Sequence, residues 1–193
     1  MSTQAKKQMS TKTLALGAIL TALVIVLQLM GSFIHLGMFS ISLVLIPIVV
    51  GAAFCGKFIG AWLGFVFGVV VLASGDASSF MMISIPGTIL TVLLKGTLCG
   101  FFAGLIYELL AKKNVYLGVF SAAIICPIIN TGIFLLGCLV FFMPTIKEWA
   151  GDQNIISFMI FGLGLLNFPI ELLFNIVLSP VIIRLLGITK KVK

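Results

Sequence analysis

The chain has 193 residues, of which 61% are hydrophobic and only 9% charged, and it carries a formal net charge of +7. Soluble domains carry about 25% charged residues, so the composition excludes a soluble globular fold and leaves an integral membrane protein with no room for a second large domain. The basic residues are divided among short loops and both tails, as membrane topology demands, which removes nucleic-acid binding as the reason for the positive charge.

Six apolar runs follow one another, at about 13–30, 39–54, 58–73, 85–110, 115–143 and 155–186. The chain therefore reads as an all-α integral membrane protein, one domain over residues 1–193 with six transmembrane helices. A helix needs about 20 residues to cross the hydrocarbon core, with a range of about 17–25. The second and third runs are short for this and rich in glycine, so they are expected to be irregular, tilted or deep in the bundle. The fifth and sixth are long and are expected to tilt, bend or extend beyond the lipid.

The first run carries small residues at Ala15, Ala18 and Ala22, and the last two form a small-xxx-small pair that lets another helix approach closely. The third run repeats the spacing at Gly60, Gly64 and Gly68, and the fourth at Gly96, Gly100 and Gly104. Those two sets are expected to pack within the bundle. No A-x-A-like site follows the first run, so no cleavable signal is expected.

Orientation follows from the basic residues. With the N-terminus inside, the inner side holds Lys6, Lys7, Lys12, Lys57, Lys112, Lys113, Arg184, Lys190, Lys191 and Lys193, and the outer side only Lys147. Positive charge concentrates on the cytoplasmic side, so both termini are expected there (N-in, C-in), which requires an even number of spans. The outer connections, 31–38, 74–84 and 144–154, are longer than the inner ones. They hold His35, Asp76, Ser78, Ser79, Glu148, Trp149 and Asp152, and their length suggests lids over a pocket that opens outward.

Lys95 is the remaining cation, inside the fourth run. A charge at the centre of a membrane helix costs roughly 3 kcal/mol on insertion scales, so Lys95 is expected to face a polar cavity or a partner. It lies about 10 residues, roughly 15 Å, from the outer end of its helix. Asn130 in the fifth run and Asn167 and Glu171 in the sixth fall at comparable depth. Asn167 and Glu171 are four apart and share a helix face. Pro127 and Pro169 can free backbone carbonyls that suit a cavity wall. One reading is a pocket, with Lys95 for an anionic group and the asparagines for hydrogen bonds. The other is a Lys95–Glu171 ion pair that holds the bundle together, and the two can coexist. Phe65, Phe67, Phe80 and Met81 could supply apolar walls, and Ser84 stands where the fourth run begins.

No catalytic set is present. There is one histidine, His35, among small and apolar residues, and there is no HExxH and no Walker loop, so the chain cannot hydrolyse ATP by itself. Cys55, Cys99, Cys126 and Cys138 form no CxxC pair and no zinc spacing, and read as buried small hydrophobes. Neither a metal nor an organic cofactor is implied.

The stretches LALGAILTALVIVL, with Ala18 and Ala22, GAAFCGKFIGAWLGFVFG at the junction of runs two and three, and LLKGTLCGFFAGLIYELL in run four give the chain its likeness. It resembles an S component, the substrate-binding subunit of energy-coupling factor (ECF) vitamin transporters, and is most similar to the pantothenate type. The resemblance implies an S-component-like bundle that binds a vitamin from outside, in a site built from outer loops and spans four to six. The set to be tested is Lys95, Asn130, Asn167, Glu171, Phe67, Phe80 and Ser84. The resemblance also implies docking through the face of Ala15, Ala18 and Ala22 on a membrane coupling subunit, with two cytosolic ATPase subunits driving the cycle. A basic residue in span four and an asparagine in span five suit pantothenate, and folate, also anionic, comes next. Thiamin would want a carboxylate and an aromatic cage, and riboflavin has no carboxylate for Lys95. A secondary transporter or a membrane-embedded enzyme remain as other classes. The first would be favoured by inverted repeats, which residues 1–97 and 98–193 do not display.

Overall fold

The computed structural model describes residues 11–32, 35–36, 39–40, 43–164 and 168–191. Among these, α1 runs Thr11–Gly31, and a two-rung antiparallel ladder pairs β1 (His35–Leu36) with β2 (Phe39–Ser40). Then come α2 (Leu45–Cys55), α3 (Lys57–Ser74), the short α4 (Ser78–Met81), α5 (Ile85–Leu110) and α6 (Val115–Phe141). The chain ends with α7 (Met143–Ala150), α8 (Ile155–Ser157), a π-helical turn at Phe158–Gly164 and α9 (Phe168–Lys191).

Four of these helices, α1, α3, α5 and α6, are long and apolar enough to cross a membrane, and a fifth candidate is the pair Ile155–Leu163 and Phe168–Arg184, whose halves differ in direction by 40°. The expected second span, about 39–54, is different. Phe39 and Ser40 lie in a strand, and α2 has only 11 residues, roughly 16 Å of helix against a core of about 30 Å. Gly56, at φ 91°, stops it, and α3 starts at the next residue. A side chain at that φ is strained, whereas glycine is not. What α2 lacks in length it has in burial: Leu45, Ile48, Val49 and Ala52 are wholly inaccessible. The expected sixth span is likewise interrupted, by a change of helical pitch followed by the bend.

Helix α5 is the central post, packed on α3 on one side and α6 on the other. The contact with α3 is a seam of glycines. A Cβ on Gly60 would strike the Gly100 carbonyl oxygen, one on Gly64 the Gly96 carbonyl, and one on Gly68 the Val92 carbonyl oxygen at 2.9 Å. Backbone therefore lies on backbone, which is what small-xxx-small spacing permits, as the sequence led us to expect for both glycine sets. Gly104 continues the seam against the backbone of Lys57. There Lys57 Nζ lies 3.2 Å from Glu108 Oε2, and the Lys57 N–H donates to Glu108 Oε1. This pairing ties the α2–α3 corner to the last turns of α5.

The helix ends are capped by the residues that suit them. Ser84 Oγ accepts from Gly87 N–H at the start of α5, with Pro86 in the first turn, and Asn114 and Asn154 do the same for α6 and α8. At the end of the bundle opposite Lys57, α4 packs on α5 and α7 on α6. Phe80 of α4 is buried against Phe134 (5.4 Å between centroids), Phe142 (5.1 Å) and Trp149 (5.8 Å).

Candidate functional site

Beneath the Phe80 cluster lies a cavity. It holds about 80 Å³ of space that the centre of a water molecule can reach, and about 10–15 Å³ of such space accommodates one water. As it stands, the cavity has room for a handful of waters. Its wall comes from α1, α3, the α3–α4 connection, α4, α5, α6, Phe142, Leu163 of the π-helical turn, and α9.

Lys95 lines this cavity, so the charge inside α5 does face a polar space. Its Nζ stands 5.6 Å from the centroid of the buried Phe67 ring and 5.5 Å from that of Phe134. Both are within cation–π range, and the two rings limit where the ammonium can move. Two carboxylates, Glu171 on α9 and Asp76 on the α3–α4 connection, line the same cavity. Thr88, Thr91 and Lys95 fall at i, i+3 and i+7 on α5 and make one polar stripe along the wall.

Asn130 is 4% exposed, and its Oδ1 has no protein partner among the described residues. It reaches the cavity from α6, where Pro127 interrupts the hydrogen-bond ladder, and Phe134 lies one turn further along the same face. Glu171 lines the cavity from the first turn of α9 and is also buried. Below it, Asn175 Nδ2 donates to the Glu171 carbonyl and Ser179 Oγ to the Asn175 carbonyl, each at 2.8 Å.

Of the residues singled out from the sequence, Lys95, Asn130, Glu171, Phe67 and Phe80 meet at this one cavity. Asn167 lies outside the described residues, as does the side chain of His35. Ser84 caps α5 and does not line the cavity. Phe65 does not line it either: it is 38% exposed and sits in a shallow apolar groove with Ile85, Ile89 and Leu93. Phe65 and Phe67 are two apart, about 200° around a helix, so only one of them can face inward. Met81 stands half-buried on α4 away from the lining.

The lining also includes residues that the sequence reading passed over: Gln28, Thr88, Thr91, Thr131, Phe134 and Phe142, together with Asp76, noted there only as a loop residue. Gln28 Nε2 donates to Asp76 Oδ2 at 2.6 Å, joining the end of α1 to the α3–α4 connection. Spacing could have found Thr88, Thr91 and Phe134, each on the helix face of a residue already chosen. Nothing local could have paired Gln28 with Asp76, which lie 48 positions apart.

On the far side of α1, Ala15, Ala18 and Ala22 are all exposed, while Gly17, Leu20, Val24 and Gln28 face the bundle.

A family model described as "ECF transporter, substrate-specific component" matches residues 12–183, almost the whole chain. The chain belongs to this family. No curated protein and no solved structure matches it. As an S component it is a multi-pass membrane protein and the substrate-binding subunit of an ECF transporter, and is not itself an ATPase. Membership implies a small-molecule substrate and association with the ECF membrane and ATPase subunits. For this S component, the cavity at Lys95 joins a half-buried cation, an amide oxygen unpartnered among the described residues, and aromatic walls.

Proposed function

We propose that this S component binds a small carboxylate-bearing vitamin, pantothenate before folate, in the cavity at Lys95, and delivers it to an ATP-driven import complex. The observation that carries the reading is Lys95 itself. A cation in the middle of a membrane helix lines a cavity between the Phe67 and Phe134 rings, beside the unpartnered Oδ1 of Asn130. A carboxylate there would share the Lys95 ammonium with Glu171, and the Asn130 oxygen would accept a hydrogen bond from the ligand's amide or hydroxyl. Lysine offers a compact point charge instead of a bidentate fork, which suits one carboxylate oxygen at a time. The small size of the cavity favours pantothenate over the larger folate. For either ligand, the α4 and α7 cap has to move outward. Asn167 remains part of the proposed set, and Ser84 contributes through the α5 cap.

The membrane arrangement we propose has six crossings with both termini cytoplasmic, as the distribution of Lys and Arg requires. In it, α2 is the deep half of the second crossing, the bent α8–α9 unit is the sixth, and the cavity opens outward under the α4 and α7 cap. The exposed Ala15, Ala18 and Ala22 face then lies toward lipid, free to receive a helix of the coupling subunit, with two cytosolic ATPases below.

Isothermal titration of the detergent-purified chain with pantothenate, folate and riboflavin tests the reading. Submicromolar pantothenate binding that is lost in Lys95→Met supports it. Pantothenate binding that survives Lys95→Met, or none to the wild-type chain, overturns it.

A further inference from the structure

The cavity has a second polar end, made by Gln28, Asp76 and Thr91, toward the α4 and α7 cap. Gln28 is 1% exposed, and its amide orientation is decided by chemistry. Asp76 Oδ2 can only accept, so the NH₂ must face it across the 2.6 Å contact. That leaves Gln28 Oε1, a pure acceptor, buried at a cavity-lining residue with no protein partner among the described residues. Thr91, 3% exposed, is in the same position. Its Oγ1 has no protein partner among the described residues, whereas the hydroxyls of Thr21, Thr88 and Thr97 each donate to the carbonyl four residues back, at 2.7–2.8 Å. A helical threonine can normally satisfy itself in that way, and Thr91 does not.

Buried groups left unpaired cost the folded protein stability. Lys95 has only donors to offer, while Gln28 Oε1 can only accept. Thr91 lies one turn from Lys95 on α5, roughly 6 Å along the axis. Building on the reading of Lys95 as the carboxylate site, we propose that Gln28 and Thr91 form a second recognition pole, with Asp76 holding the Gln28 amide in its orientation. It takes a hydrogen-bond-donor group of the bound molecule, a hydroxyl or a protonated amine. The cavity then measures its ligand at both ends, anion at Lys95 and donor beneath the cap, and selects molecules in which the two groups are about one helical turn apart.

Thr91→Val is the decisive variant, because it deletes an unpartnered hydroxyl and keeps the shape packed against Gly137. The full-length protein in detergent is titrated with four probes: pantothenate, its alcohol panthenol (hydroxyls, no carboxylate), N-acetyl-β-alanine (carboxylate, no hydroxyl) and putrescine (amine only). Thermal unfolding is followed in parallel, and Gln28→Met serves as a second variant. We expect Thr91→Val to weaken pantothenate at least tenfold, to leave N-acetyl-β-alanine unchanged, and to melt no lower than wild type. Pantothenate binding equally well to wild type and Thr91→Val overturns the pole. If pantothenate fails to bind wild type but panthenol or putrescine binds in a Thr91-dependent way, the carboxylate reading falls and the pole stands. The probe that binds then distinguishes hydroxyl from amine. No binding of any donor-bearing probe to the wild-type chain overturns the pole as well.

Discussion

Replacing Gly64 by alanine tests the seam that positions Lys95. A Cβ at Gly64 would come to 2.6 Å from the Gly96 carbonyl carbon and closer still to its oxygen, and the obstruction is backbone, which cannot rotate away. Ordinary van der Waals contact begins near 3.4 Å, so α3 and α5 must part by more than about 1 Å to accept one methyl group, a typical overpacking cost of about 1–3 kcal/mol. The intrinsic effect of exchanging glycine for alanine in a helix, about 1 kcal/mol, would blur a comparison with wild type. Gly132→Ala removes that problem. Gly132 lies within α6 with nothing within 4 Å of its would-be Cβ, so the propensity change is common to both variants and the difference between them isolates the clash. At about 2–4 °C per kcal/mol for a chain of this size, Gly64→Ala should melt roughly 2–12 °C below Gly132→Ala. A thiol-reactive dye reads this in a Cys55→Ser background, where Cys55, half-buried in the folded chain, no longer labels and Cys99, Cys126 and Cys138 are buried until the bundle opens. Lys95 is the neighbour of Gly96, so Gly64→Ala should also weaken ligand binding. A Gly64→Ala protein that melts with or above Gly132→Ala would refute the backbone-contact argument.

Three further substitutions probe other parts of the molecule. Phe80→Ala removes the ring on which Phe134, Phe142 and Trp149 converge. A buried Phe→Ala change costs about 3–5 kcal/mol, here spent on the cap, so ligand dissociation followed by Trp149 fluorescence should quicken at least tenfold. An unchanged dissociation rate argues against a cap. Ala18→Trp adds bulk to an exposed face and should block co-purification with the coupling subunit while leaving pantothenate titration as in wild type; retained assembly would sink the docking assignment. Glu108→Gln deletes the charge facing Lys57, but the two side chains are 28% and 39% exposed and water screens the pair. The amide oxygen can still accept from the Lys57 N–H. The expected loss is below about 1 kcal/mol, and a drop in melting temperature of more than a few degrees would show that the pair matters more than its exposure implies.

The amino-acid order alone determines the class of the protein and the bounds of its long helices. The apolar runs at 58–73, 85–110 and 115–143 coincide within a few residues with α3, α5 and α6, because a span of hydrocarbon demands a minimum length of uninterrupted apolar helix whatever its neighbours do. The same reasoning isolates Lys95, since an intramembrane charge stands out against so apolar a background. The glycine seam is legible for a related reason: only glycine at every fourth position lets two backbones touch. The second run shows the limit of the method. Its apolar content reads as a span, yet α2 is an 11-residue helix, and burial of seven of those residues against the bundle accounts for much of that hydrophobicity as well as lipid would.

The rotation of each helix is decided by tertiary structure alone. A membrane helix is apolar toward lipid and toward protein alike, so periodicity, which reveals the inner face of a helix in water, carries almost no signal here. That is why Phe65 and Phe67 were indistinguishable in sequence, although the first lies in a surface groove and the second is buried beside Lys95. It is also why Gln28 and Asp76 went unpaired until α1 and the α3–α4 connection were brought together. Their hydrogen bond joins positions 48 residues apart, and only the packing of α1 against α3 makes them neighbours.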